Sequence, residues 1–299
     1  MSIVSAALRT RERQQARFAR TGFAESTLAE LAWQRTREAA GRWSGAGLVV
    51  GALIGLIVFA PAAWLAAGVA SATGQRLLLT DARGTLWNGS ALPVLSGGPG
   101  SRDASALPGR LEWQIGWRGL GLEVRARQAC CLRGEVRALV KPGFGRMSLQ
   151  LMPGESNTVG QWPTAWLSGL GTPWNTLQLG GSLRLTSPGL TVEWVQGRVR
   201  FSGEASLDVA NASSRVATLD TLGSYRMVLR GDAAQGNAAT VTLLTVDGAL
   251  RLSGQGEWVG SGLRFRGEAQ AAEGSETALN NLLNIIGRRQ GARSVISIG

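Results

Sequence analysis

The sequence predicts a mainly β protein. A single N-terminal transmembrane helix is followed by an extended antiparallel β-sheet domain with repeated strand units and one C-terminal helix. Three observations predict this. An uncharged apolar run extends from Gly47 to Ala70. After it, short segments alternate apolar and polar residues between Gly, Pro and Asn turns. Within those segments a stretch of strand pattern recurs almost unchanged at 193–205 and 257–269.

The first element is a basic N-terminal region, residues 1–44, with eight Arg and four Glu. Residues 26–40 read as a short helix capped by Ser26 or Thr27, with Leu28, Leu31 and Ala32 on one face. A partner helix, a membrane-surface helix and a loosely ordered tail all fit that pattern. The second element, residues 45–70, is the transmembrane segment. No charge lies between Arg42 and Arg76, and the run is long enough for a hydrocarbon core of about 30 Å. The polar residues ahead of it favour an uncleaved anchor over a signal peptide, whose apolar region is shorter and nearer the N-terminus. Pro61 falls toward the far end, and Trp43 and Trp64 suit the two interfaces. Eight Arg precede the segment, whereas only Arg76 and Arg83 follow closely. The positive-inside rule therefore sets the N-terminus in the cytoplasm and residues 71–299 across the membrane. A bacterial inner membrane with a periplasmic domain is the simplest setting.

Residues 71–299 form the β-rich domain, with a candidate subdivision near 175–180. Predicted strands include Leu111–Ile115, Leu122–Arg127, Glu135–Val140, Met147–Leu151, Leu183–Thr186, Arg198–Val209, Tyr225–Arg230, Thr240–Val246, Ala249–Leu252 and Leu263–Ala269, with Gly, Pro and Asn marking the turns between them. Short links between consecutive strands imply antiparallel pairing, and no amphipathic helices separate them as in βαβ units. The repeat reads EWVQGRVRFSGEA and EWVGSGLRFRGEA, identical at eight of thirteen positions. It predicts a recurring strand–turn–strand unit that includes Trp194, Trp258, Phe265 and Gly267. Near the C-terminus, Ser275 caps a predicted helix carrying Leu279, Leu282, Leu283 and Ile286. Gly287 ends it, and Arg288 and Arg289 sit at its negative end.

Composition excludes several chemistries. The chain has no His, which removes His-dependent nucleophiles, imidazole metal sites and imidazole proton shuttles. The two Cys, Cys130 and Cys131, are adjacent; on a strand they face opposite ways and make a poor metal pair. We read one buried and one incidental thiol rather than a strained vicinal disulfide. The net charge is +11, and basic charge is almost all Arg, with Lys141 the single Lys. Interspersed Arg such as Arg125, Arg127 and Arg137 suit a solvated sheet face. No nucleic-acid-binding motif accompanies them. No phosphate loop or dinucleotide fingerprint is present. We therefore expect no catalytic residues, no cofactor and no metal. Eight of the eleven Trp lie beyond the apolar run; they read as core or sheet-face packing, or alternatively as an apolar groove for a protein or lipid partner.

Two blocks of residues resemble the type II secretion system protein N family. The first is Pro61-Ala62-Ala63-Trp64-Leu65, then Gly74-Gln75-Arg76-Leu77, then Gly84-Thr85-Leu86-Trp87-Asn88-Gly89-Ser90-Ala91. The second is Leu250–Gly256, Leu263–Ala269 and Leu282–Arg289. The resemblance covers about residues 45–299. It implies an inner-membrane accessory component that supports export of folded proteins across the outer membrane. Its partners would be other inner-membrane components of that machine, with no catalysis. Trp87, Asn88, Gly89, Trp194, Trp258, Phe265, Gly267, Arg288 and Arg289 are the candidate interaction or structural residues. The alternative is a membrane-anchored sheet with a hydrophobic groove for lipid, like those of AsmA-like proteins.

Overall fold

The computed structural model describes residues 44–154, 156–232, 238–260 and 262–299. The chain divides into two compact units at Phe59/Ala60. The predicted helix at 26–40 lies outside the described residues.

The apolar run is not one helix. Its first part, α1, is helical over residues 44–58, and a second helix, α2, spans Ala62–Ala72. Pro61 separates them: it has no N–H to donate, it disfavours helical backbone at Ala60, and its own ψ of 148° is extended. Among the described residues no helix is long and apolar enough to cross a membrane. Residues 62–70, expected in the bilayer, instead belong to the sheet unit, where Ala60 and Ala62 are buried. Residues Leu48 to Phe59 of the first unit keep their large apolar side chains exposed.

α2 ends in a turn that launches the sheet. The Thr73 hydroxyl donates to Val69 O at 2.8 Å and accepts from Leu77 N at 3.2 Å, closing the open end of the helix onto β1. Among the described residues, sixteen strands then form one antiparallel sheet. They are β1 Leu77–Gly84, β2 Asn88–Ser96, β3 Ala104–Ala106, β4 Leu111–Arg118, β5 Gly121–Arg127, β6 Val136–Gly143, β7 Arg146–Leu151 and β8 Thr158–Pro163. A 3-10 turn at Thr164–Leu170 and the short helix α3, Trp174–Leu177, lead to the second half. There lie β9 Leu179–Val195, β10 Arg198–Ser214, β11 Gly223–Gly231, β12 Ala239–Asp247, β13 Leu250–Val259 and β14 Gly262–Ala271. Helix α4, Glu276–Ile286, precedes β15 Arg288–Gln290 and β16 Arg293–Ile298. Sequence neighbours pair almost throughout; β3 and β8 sit off the main path, on β2 and β9.

β9 and β10 are each 17 residues long, well beyond the predicted segments. Ser187-Pro188-Gly189 reads as a turn in sequence, yet it is a bulge inside β9, where a missing N–H is tolerated. The buried Ser187 hydroxyl donates to Glu204 O at 2.7 Å and holds the bulge against β10.

The predicted C-terminal helix is present as α4, and it covers one end of the sheet. Leu279, Leu282 and Leu283 are buried with Leu177, Leu222, Tyr225, Leu250 and Ala269. Two local details differ from the sequence reading. Ser275 holds the N-cap position without a side-chain cap bond. Gly287 is extended rather than left-handed, and it is small because an added Cβ would lie 2.5 Å from Val295 O. Arg288 and Arg289 therefore leave the helix at once and form the edge strand β15. Cys130 and Cys131 are joined in a vicinal disulfide, contrary to the two-thiol expectation. The turn that carries them is held by Gln161 N donating to Cys131 O at 2.7 Å.

Candidate interaction surfaces

The nine sequence-selected residues fall in three places and do not converge on one site. Trp87, Asn88 and Gly89 form the turn and first strand residues between β1 and β2. Asn88 N donates to the Thr85 hydroxyl at 3.1 Å, and Thr85 N donates to Asn88 O at 2.9 Å. Gly89 is required by a residue from another strand. The buried Trp113 ring lies over it, so an added Cβ would be 2.6 Å from Trp113 Cζ2 and 2.8 Å from two carbonyl oxygens. The Trp113 indole N–H donates to Leu86 O at 3.0 Å. Ala62 of α2 and Ala91 of β2 complete this cluster, and Leu86 N donates to Ala60 O at 2.7 Å. The Pro61–Leu65 and Gly84–Ala91 motifs are thus one packed unit with Trp113 as its plug.

The two repeat copies are the same hairpin tip. In β9–β10, Glu193 faces Arg200 and Trp194 faces Val199; in β13–β14, Glu257 faces Arg264 and Trp258 faces Leu263. The copies are separated by β11 and β12 but touch directly at their tips. Val199 N donates to Gly260 O at 3.0 Å, and Phe201 meets Trp258 edge-on at 5.2 Å. Trp194 instead faces Met147 of β7. Phe265 is buried across Gly254 and Gly267, where any side chain would collide with its ring. Arg289 donates from Nε to Gly291 O at 2.7 Å at the sheet edge.

Sequence reasoning selected the Arg-rich face but missed its organisation. Directly opposed residues of an antiparallel pair share a face. One such row runs Asn88, Gln114, Arg125, Arg137 across β2, β4, β5 and β6. On this side three carboxylates each sit between two guanidinium groups. Asp81 meets Arg110 at 2.7 Å and Arg83 at 2.9 Å. Glu123 meets Arg125 and Arg118, both at 2.7 Å. Glu135 meets Arg137 at 2.7 Å and also Arg127. The hydrogen bond from Arg110 lowers the Asp81 carboxyl below its ordinary range, with help from Arg83. Arg125 does the same for Glu123 against the opposing effect of burial, and Arg137 for Glu135. Each group of three keeps one net positive charge. Between them an open groove of about 350 Å³ is lined by Arg83, Arg125 and Arg127 against Glu112 and Glu135.

The opposite face is apolar. A row in register runs Trp117, Leu122, Val140, Leu149, Val192, Phe201 from β4 to β10. Helix α2 packs on β1 and β2, and α4 packs on β14, β15 and β16 and, through its leucines, on Tyr225 of β11 and Leu250 of β13.

A family model for type II secretion system protein N matches residues 75–296. The chain belongs to the type II secretion system protein N family. The matched span begins at Gln75, so the Pro61–Leu65 part of the first motif precedes it and joins the family region through packing on Ala91 and Trp113. It ends inside β16, with both repeat copies, α4 and the edge strand β15 included. No curated protein and no solved structure matches the chain. Family membership gives a role in type II secretion and association with other components of that system.

Proposed function

We propose that this protein N is a non-enzymatic, inner-membrane accessory component that supports export of folded proteins from the periplasm across the outer membrane. The observation that carries the reading is the family match over residues 75–296. In this reading the exposed apolar residues before Ala60 sit in the bilayer, the Arg-rich N-terminus is cytoplasmic and the sheet is periplasmic. The Cys130–Cys131 disulfide supports an oxidising compartment for the sheet. The charged face of β1–β6, with its three guanidinium–carboxylate groups, is the surface we assign to other inner-membrane components of the machine. Deleting the gene in its native host should impair export of folded substrates. Crosslinkers placed at Trp87 and in the repeat strands should capture secretion components; unaffected export together with no capture would refute the reading. A periplasm-dependent reporter fused after Gly299 should be active, and cytoplasmic activity would reverse the orientation.

A second reading is favoured by the apolar row from Trp117 to Phe201: a membrane-anchored module, resembling AsmA-like proteins, that holds lipid on that face. Mass spectrometry of the purified full chain would show co-purified lipid if this holds, and none if it does not.

A further inference from the structure

The hairpin turns β4–β5, β6–β7, β9–β10 and β13–β14 all lie at one end of the sheet, because its strands alternate in direction along the pairing order. The β1–β2 turn lies at this end as well, and it is where the chain joins the sheet unit. Pro61 bridges Thr85 there, and Leu86 N donates to Ala60 O. The apolar residues that end at Phe59 are therefore attached at the hairpin end.

Two neighbouring turns at this end have unusual apices. Two-residue hairpin turns normally carry Gly, Asn or Asp. Here Gly119 supplies the left-handed position (φ +61°), and the other apex residue is Leu120, 95% exposed. In the next hairpin Gly145 plays that part (φ +64°), and the other apex residue is the fully exposed Phe144. Trp117, 75% exposed, flanks the first turn. The two apices are two strand spacings apart, roughly 10 Å. Isolated exposed apolar residues are ordinary, but these are large, close together and aimed out of the same end. Exposed basic side chains surround them: Lys141, Arg146 and Arg198.

The tips also extend beyond the junction. Ile115 N donates to Trp87 O, and β4 continues from that level to Arg118. Three more strand residues at about 3.4 Å each reach roughly 10 Å further. That is the depth over which interfacial side chains enter a bilayer, about 5–10 Å.

We propose that the hairpin end of the sheet rests in the interfacial layer of a phospholipid bilayer. Leu120 and Phe144 insert among the upper acyl chains, Trp117 lies at the headgroup level, and the basic side chains meet anionic headgroups. Continuity selects a bilayer as the occupant: the apolar segment before Ala60 leaves from this same end. The inference rests on the membrane anchoring proposed above, and the test reads that anchoring separately.

Variants of the full chain that add one free cysteine beside the intact Cys130–Cys131 disulfide, Leu120→Cys, Phe144→Cys, Leu53→Cys and Thr218→Cys, would each carry an environment-sensitive fluorophore on the added thiol. They would be reconstituted in vesicles of phosphatidylethanolamine and phosphatidylglycerol. Thr218 lies in the exposed β10–β11 link at the opposite end. Emission at 53, 120 and 144 should shift to shorter wavelength and be quenched by nitroxide-labelled lipid, with emission at 218 unchanged. Quenching at 53 with water-like emission at 120 and 144 overturns the tip proposal and leaves the anchor standing. Water-like emission at 53 overturns both. A blue shift at 120 and 144 without lipid quenching identifies a protein contact and overturns the proposal.

Discussion

In the C-terminal half of the sheet, three leucines of α4 are less than 2% exposed against Tyr225, Leu250 and Ala269. Strands β1–β7 have instead one buried aromatic, Trp113, seated between α2 and β2, and a face of shared carboxylates. Acid–base contacts differ in the same way. Asp81, Glu123 and Glu135 each serve two Arg, whereas Asp208, Glu204 and Glu268 each serve one. Magnitudes separate the roles. Burying one Leu is worth about 1.5–3 kcal/mol, while an ion pair with an exposed partner contributes about 1 kcal/mol or less. Stability of the C-terminal half therefore rests on α4. The paired charges of the N-terminal half mainly fix a net positive surface with defined side-chain positions, as an interaction face requires.

Four measurements test that contrast. Trp113→Ala in the detergent-solubilised full chain should lower stability by about 3–5 kcal/mol in chemical denaturation. Faster hydrogen exchange should be confined to β1, β2, β4 and β5; an equal rise in β13–β16 would show that the halves unfold together. Leu282→Ala should cost about 2–5 kcal/mol and give the mirror result, with exchange rising in β11–β16 while β1–β5 stay protected. Gly89→Ala should cost about 1–3 kcal/mol by forcing Trp113 out of its seat. A smaller perturbation should come from Glu123→Gln, and it should depend on pH. The folded-state carboxyl is held low by Arg125 and Arg118, so its stabilisation is present above the ordinary carboxylate range, about pH 4. It is lost as pH falls through the lowered folded-state value. The difference in Tm between wild type and variant should thus shrink on acidification from pH 7 to pH 3. A constant difference would assign Glu123 a packing role alone.

Much of the sheet was legible because period-2 alternation is a local property. The β10, β11 and β14 segments follow from it, and the helix carrying Leu279, Leu282 and Leu283 follows from the equally local i, i+3, i+4 spacing of its leucines. Failures occurred where punctuation misled. Ser187-Pro188-Gly189 continues a strand through a bulge, and Pro61 ends α1 rather than kinking a single span. Of the candidate residues, Gly89 came from the motif resemblance and Phe265 from the internal repeat, while their physical partners Trp113 and Gly254 were not among the candidates. Arg125, Arg127 and Arg137 were recognised as a face, but nothing in their spacing revealed Glu123 and Glu135 as shared carboxylates.

The sequence by itself determined the mainly β class, the antiparallel order of neighbours, the apolar segment before Ala60 and the repeated hairpin. Each of these depends on residues within a few positions of one another. Tertiary structure alone decided that Gly89 lies under Trp113, that the repeat tips meet through Val199 and Gly260, and that Leu120 and Phe144 project from the end where the chain joins the sheet. Those relations depend on register and strand direction. Both are set by pairing between distant segments, which no local pattern encodes.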